Sequence, residues 1–390
     1  MAETTTVLNQ LHHLLPLIEF ESFVRQHNAD RYVKKMTCKN QLSILLYAQA
    51  TGKDSLRDIE AGLSMWDSTW YHLGLQTTAR STLARANEKR PYAIYESLFY
   101  ELLKKCMKFS SGTASFSFEN NLYAIDSTTI DVCLSLFPWA RFQKEKGAIK
   151  MHTLFNVRSQ IPECIIVTDG KVGDITAARR FDLSKYPKGS IFVFDRGYTD
   201  YAFLWKIKRA GHHFVIRLKK KANIMRLPHC CPLEKGVIGD ERIAFVTDEA
   251  EKDYPNDLRL VTYLDEKHNQ LYEFITDMFD CAASVVAAVY KSRWQIELFF
   301  KWIKQHLKIK TFLGTSKNAV LSQIWIAMIY YLLLAWLKFQ TNFKGSLLDL
   351  TRIIQEVLMR NISIINLLNL TPKTLPKILA RASPPQIGLF

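Results

Sequence analysis

The chain has 390 residues, with 52 Lys plus Arg against 37 Asp plus Glu and a formal net charge of +15. That length buries a substantial core and exceeds one ordinary domain, which excludes a peptide-sized or single-repeat molecule. A hydrophobic share of 48% and an aromatic share of 12% exclude a disordered basic tail, so the charge points to a folded protein with a polyanionic partner, nucleic acid first.

The first twenty residues contain no Lys or Arg, and Thr4 to Thr6 reads as a helix cap rather than a secretion signal. From Thr4 to about Phe109 apolar residues recur at spacings of three and four, the helical pattern. Within it, Thr77, Thr78 and Ser81 open a short basic helix that carries Arg80, Arg85, Lys89 and Arg90 and stops at Pro91. Its outward cations suit either DNA contact or an ordinary solvated face. After the Ser/Gly patch at Ser110 to Ser115 the chain changes to short apolar runs of strand type, NLYAID, HTLFNV, ECIIVTD and SIFVFD. Helices are expected over Asp174 to Phe181 and Asp200 to Arg209, with a further strand at His213 to Leu218.

Ala222 to about Asp280 shows strand signals only, a β-rich insertion. A long helix follows from Ala283 to about Lys308, then helical segments to the Pro-rich end at Ser383 to Pro385. The organisation expected is thus a helical N-terminal DNA-binding region (1–112), an α/β catalytic region (113–335, insertion about 222–281) and a helical C-terminal region (336–390). Ala319 to Leu337 is long enough to span a bilayer, but it stands alone, contains Ser322 and Gln323 and has basic flanks. A buried core helix is expected there, not a membrane anchor. The cysteines number seven, with no CxxC pair, which fits reduced thiols in a cytosol. His229-Cys230-Cys231 lacks the ligand spacing of structural zinc.

Two strands end alike, Leu122-Tyr-Ala-Ile-Asp126 and Ile191-Phe-Val-Phe-Asp195. Carboxyl ends of strands in an α/β sheet are where ligands gather. On neighbouring strands, about 4.8 Å apart, such carboxylates can share divalent cations, and oxygen ligands favour Mg²⁺ or Mn²⁺. Each Asp taken alone is better explained as a turn cap, as most strand-terminal Asp residues are. On the helix that follows the insertion, Tyr290, Arg293, Glu297 and Lys304 fall within about 60° of one another at about 100° per residue, one polar stripe. Glu297 is the only acid among seven basic residues between Lys291 and Lys317. An Arg293–Glu297 surface pair accounts for part of this; a third metal carboxylate beside fixed cations is what phosphodiester chemistry needs. Lys146, Lys150 and His152 lie on the run into the strand after Asp126, and line either a cleft or a solvated turn. Tyr201 to Leu233 carries eight Lys or Arg and no acid, a run suited to tracking phosphates.

AIDSTT with Asp126, FDRGY with Asp195, and Tyr290-x2-Arg293-x3-Glu297-x6-Lys304 together resemble the DDE transposases of bacterial insertion sequences, in the insertion-sequence-four family. The last pattern matches that family's YREK signature without gap or substitution. ADRYVKK, GKDSLRDIEAGL and RSTLARANEKRP are similar to the helical N-terminal part of many members. The resemblance implies a ribonuclease-H-like catalytic lobe with a β-rich insertion, and Mg²⁺, for which Mn²⁺ can substitute, held by Asp126, Asp195 and Glu297. It further implies phosphate contacts from Arg293 and Lys304, with Lys150, His152, Arg80 and Arg85 as further candidates, and a Tyr290 that orients the DNA end. The implied partners are double-stranded DNA, as terminal inverted repeats and as target, and a second copy in a homodimeric synaptic complex, in the cytoplasm at the nucleoid. The function expected is cleavage at the element ends and joining of the 3′ ends to target DNA. A nuclease of the same fold without strand transfer, and a DNA-binding protein without chemistry, are the alternatives.

Overall fold

A computed structural model describes residues 5–65, 70, 78–109, 120–143, 146–220, 222–227, 234–306 and 311–369. It divides the chain into two compact units, residues 1–112 with 301–390, and residues 113–300.

The first unit opens with helices α1 (Val7–Leu14), α2 (Leu17–Gln26), α3 (Cys38–Thr51), α4 (Leu56–Met65), α5 (Arg80–Lys89) and α6 (Ala93–Phe109). Caps explain several of their ends: the Thr6 and Thr37 side chains accept from the Asn9 and Asn40 amides, and Gly52 closes α3 at φ +67°. The basic helix is capped differently from the expected Thr/Ser start. Its N-cap is Ala79, which has no side-chain acceptor, and the Arg80 amide instead donates to Glu60 Oε1 on α4 at 3.0 Å. Arg90, grouped by sequence with the exposed cations, is buried at the helix end.

The second unit is built on one sheet of nine strands. They are β1 (Leu122–Val132), β2 (Gly147–Asn156), β3 (Ile161–Asp169), β4 (Ile191–Phe194), β5 (His213–Arg217), β6 (Ile224–Leu227), β7 (Val237–Phe245), β8 (Leu258–Asp265) and β9 (Gln270–Thr276). Their order is β3-β2-β1-β4-β5-β9-β8-β7-β6. β1, β4 and β5 run parallel, while β2 and β3 continue antiparallel from β1. That is the ribonuclease-H-like arrangement. The β-rich stretch does not stand apart from it: β9 pairs antiparallel with β5 from Val215↔Thr276 to Arg217↔Phe274, so β6 to β9 extend the same sheet. Helices α7 (Asp174–Ala178), α8 (Tyr201–Arg209) and α9 (Asp248–Asp253) lie between strands. Phe192, Phe194, Phe203, Phe214 and Leu260 belong to one buried cluster of this unit. A buried ion pair, Arg259 to Asp240 at 2.6 Å, fastens β8 to β7, and Arg259 also donates to the Met278 and Cys281 carbonyls.

The unit ends with α10 (Ala283–Ser292) and the start of α11 (Trp294–His306). The first unit then resumes with α12 (Lys317–Gln340), α13 (Leu347–Val357) and α14 (Ile364–Leu368). α12 is long and apolar enough to cross a membrane, yet 89% of its apolar window is buried, packed against α3, α5, α6 and α13. It is the core helix expected. The start of α1 meets the segment after α13 inside this unit, where the Val7 and Leu8 amides donate to the Arg360 and Leu358 carbonyls at 3.1 and 2.9 Å.

Candidate active site

The parallel pairing of β1 with β4 ends at Ile125↔Phe194, so the next residues, Asp126 within β1 and Asp195 just past β4, stand at the same level. β1 itself does not end at Asp126, as the sequence suggested. It runs on to Val132 because β2 stays paired with it to Val132↔Gly147. Asp195 caps the 3-10 turn Arg196–Tyr198 and accepts from the Gly197 amide at 2.8 Å. Asp126 Oδ1 accepts from the Ser127 amide at 2.8 Å.

The helix expected over 283–308 is interrupted at Arg293. There the Arg293 amide donates to the Tyr290 carbonyl and the Ile296 amide to the Arg293 carbonyl, both at 3.1 Å, the shorter i→i+3 pattern. Tyr290 therefore belongs to α10, and Glu297 and Lys304 to α11. Arg293 Nη1 reaches Asp126 Oδ2 at 3.2 Å while Nη2 donates to Glu297 Oε1, four residues on. One guanidinium thus joins the carboxylate on β1 to the carboxylate on α11. The Tyr290 ring packs on Phe274 at 4.5 Å and lies 5.7 Å from the Arg293 guanidinium. Lys304, half-buried, sits two turns beyond Glu297 on α11.

Burial pushes the Asp126 carboxyl up to about 6, with the charges of Asp195 and Glu297 adding to the rise and the Ser127 amide and Arg293 opposing it. Both other acids are therefore close enough to repel it. Three carboxylates offer only hard oxygen donors, which suits a Mg²⁺-class cation. Among the described residues, however, no three His, Cys, Asp or Glu side chains lie close enough to enclose a metal ion together. Arg293 supplies the positive charge between Asp126 and Glu297 in this arrangement.

Lys150 and His152 lie not on a solvated turn but on β2, opposite Thr129 and Ser127. Both turn to an acid that sequence reasoning passed over. Asp174, at the start of α7, accepts from Lys150 Nζ at 2.8 Å and from Ser127 Oγ at 2.5 Å, and stands 3.4 Å from His152 Nδ1. Burial acts to raise the Asp174 carboxyl, but the nearby His152, the Lys150 ammonium and the Ser127 hydroxyl outweigh it and hold it well below the usual range. The only signal in the sequence was an Asp directly after Gly173 at a helix start. Tyr198 of the FDRGY motif was also missed. Its buried hydroxyl is pushed far upward by desolvation and by the charges of Asp126 and Asp174.

Elsewhere, Arg80 and Arg85 are exposed on α5. The basic run over 201–233 is partly spoken for: Arg226 pairs with Glu241 and Glu273, Lys208 with Asp277, and Arg217 stacks on Tyr272 at 4.8 Å. Thr77, Lys221, His229, Cys230, Cys231 and the Pro-rich end lie outside the described residues.

Against known proteins, the family model "Transposase DDE domain" matches residues 117–333, and a "Domain of unknown function (DUF4372)" matches residues 3–76. The chain belongs to the DDE transposase family. A probable transposase for insertion sequence element IS5377 of Geobacillus stearothermophilus is 28% identical over 72% of this chain and 74% of its own length. Putative transposase y4zB of Sinorhizobium fredii is 32% identical, over 65% of this chain and 69% of its own. A putative transposase for element IS4SA of Synechocystis is 25% identical, over 75% and 81%. Its function is accordingly that of an insertion-sequence transposase, an enzyme of DNA transposition in a family that uses divalent metal ions.

Proposed function

We propose that this transposase, a member of the insertion-sequence-four branch by its YREK pattern, binds its element's terminal inverted repeats as double-stranded DNA, cuts at the element ends and joins the 3′ ends to target DNA. The observation that supports this best is that Asp126 and Asp195 stand level beside one another while Glu297 is tied to Asp126 through one guanidinium. In this reading Asp126, Asp195 and Glu297 would hold Mg²⁺, with Mn²⁺ as substitute, and the bound metal would lower the pKa of a hydroxyl nucleophile and stabilise the leaving oxygen.

The remaining roles fall to the chain's own side chains. Arg293, mostly buried and fixed by its bonds, presents planar donors to the scissile phosphate, where charge develops. Tyr290, anchored on Phe274, orients the DNA end. Lys304, and Arg80 and Arg85 on α5, hold phosphates farther along the backbone. Lys150 and His152 act one step back: they fix Asp174, which holds the Ser127 hydroxyl beside Asp126. Two copies act together as a homodimer, because cutting two ends in concert needs two sites, and they work in the cytoplasm at the nucleoid.

The test is cleavage of a linear duplex carrying the inverted repeats that flank the gene. We expect cuts at the element ends only with Mg²⁺ or Mn²⁺, lost in Glu297→Gln and Asp195→Asn while DNA binding persists. Joined products separate a transposase from a nuclease of the same fold. Bound but intact DNA with both metals would overturn the catalytic assignment.

A further inference from the structure

The helical unit contains a cleft of about 650 Å³ between the loop 27–36 and α5. Arg31, Lys34 and Lys35 line it from the loop and Arg85 and Lys89 from the helix, and no Asp or Glu is among its described lining residues. All five cations are exposed, and Lys34, Lys35, Arg85 and Lys89 form no ion pair with any described residue. Exposed cations alone usually mark a solvated face. Two features of this cleft go further.

The first is how its walls are joined. Arg90, at the end of α5, is 6% exposed and reaches back into the loop: its guanidinium donates to the Thr37 carbonyl at 3.1 Å, to Gln41 Oε1 at 3.0 Å and to the Met36 carbonyl, and pairs with Asp30 at 3.5 Å. Asp30 in turn accepts from the Cys38 amide at 2.8 and 3.0 Å, and Gln41 donates to Asn87 Oδ1 on α5 at 2.7 Å. A buried guanidinium is costly unless every donor is met, and here its bonds clamp the loop to the helix. The spacing of the two cationic walls is thereby fixed before any ligand arrives. The second feature, Tyr32, lies beside the cleft and not in its lining. It stands at φ +60°, in the left-handed region that a tyrosine rarely adopts, is 87% exposed, and has the Arg31 guanidinium 5.0 Å from its ring centre. An aromatic held out of the core beside a row of cations offers a flat face to a sugar or base.

We propose that this preformed cleft grips the sugar-phosphate backbone of duplex DNA, with Lys34, Lys35, Arg85 and Lys89 on phosphates and Tyr32 against the adjoining sugar. The proposal rests on the transposase reading for DNA as the partner, and it assigns a role to part of the segment matched by the domain of unknown function. The cleft meets the backbone and not the base edges, so it contributes affinity for any sequence.

Equilibrium binding of the full chain to a terminal-repeat duplex and to an unrelated duplex tests this, without divalent metal, so that cleavage plays no part. In the triple variant Lys34→Gln/Lys35→Gln/Lys89→Gln, affinity is expected to fall at least about tenfold for both duplexes. The slope of log K against log salt should shrink by about 2.7, at about 0.9 for each phosphate that is no longer neutralised. Lys188→Gln/Lys252→Gln/Lys267→Gln, exposed lysines of the other unit, should leave both unchanged. Tyr32→Ala should speed dissociation at unaltered salt slope. If the triple variant unfolds, Lys34→Gln alone should still lower the slope by about 0.9. A folded variant with wild-type affinity and slope overturns the cleft while leaving the active site untouched. A wild-type protein that binds neither duplex overturns the transposase reading of the DNA partner as well.

Discussion

Gly197 shows how little room the candidate Asp195 has. A methyl group on it would stand 2.9 Å from Asp195 Oδ1, inside the turn that this carboxylate caps. Gly197→Ala must therefore move the Asp195 carboxylate and little else. We expect DNA cleavage to drop about 10²-fold, as for a displacement near 1 Å, with the melting temperature of the protein nearly unchanged. Glu163 gives a test by pH. Burial raises its carboxyl to about 7, against a lowering by the Asn156 hydrogen bond at 2.7 Å. Because the folded value lies above the unfolded one, the neutral form favours folding fully below about 4.5, and that contribution is lost as pH climbs through 7. Glu163→Gln, which keeps an acceptor for Asn156, should raise stability at pH 8 by up to about 3 kcal/mol, and hardly at pH 4.5, in paired thermal melts. At this scale the sequence singled out Asp126, Asp195 and Glu297 as candidates through motifs with fixed spacing. Asp174 was hidden because its meaning depends on Ser127, 47 residues away.

At the scale of elements, the strongest signals were long and periodic. The apolar run within α12 is buried through nearly all its turns. Leu333, fully buried near its middle, should cost about 2–5 kcal/mol when cut to Ala, read as a lower midpoint in urea. Where the elements differ from expectation, a neighbour decides. β1 outruns its apolar core because β2 supplies hydrogen bonds to Val132. The break at Arg293 is invisible to periodicity, since two i→i+3 bonds barely change the apolar pattern around it.

For the whole molecule, the excess of 52 Lys plus Arg over 37 Asp plus Glu pointed to a polyanion, and the change from helical to strand signals after Phe109 marked where one unit gives way to the next. That the last helices belong with the first ones was not legible, because nothing local records the Val7–Arg360 and Leu8–Leu358 hydrogen bonds. This closure has a consequence for synthesis on the ribosome. Residues 113–300 form a unit from one continuous stretch, so it can fold as it emerges. The helical unit cannot be completed until α12, α13 and α14 have left the exit tunnel. A chain cut short near residue 300 would therefore keep all three acidic residues yet lack the helix on which α3, α5 and α6 pack. A gene interrupted late in its reading frame would thus disarm its product by leaving one unit unfinished.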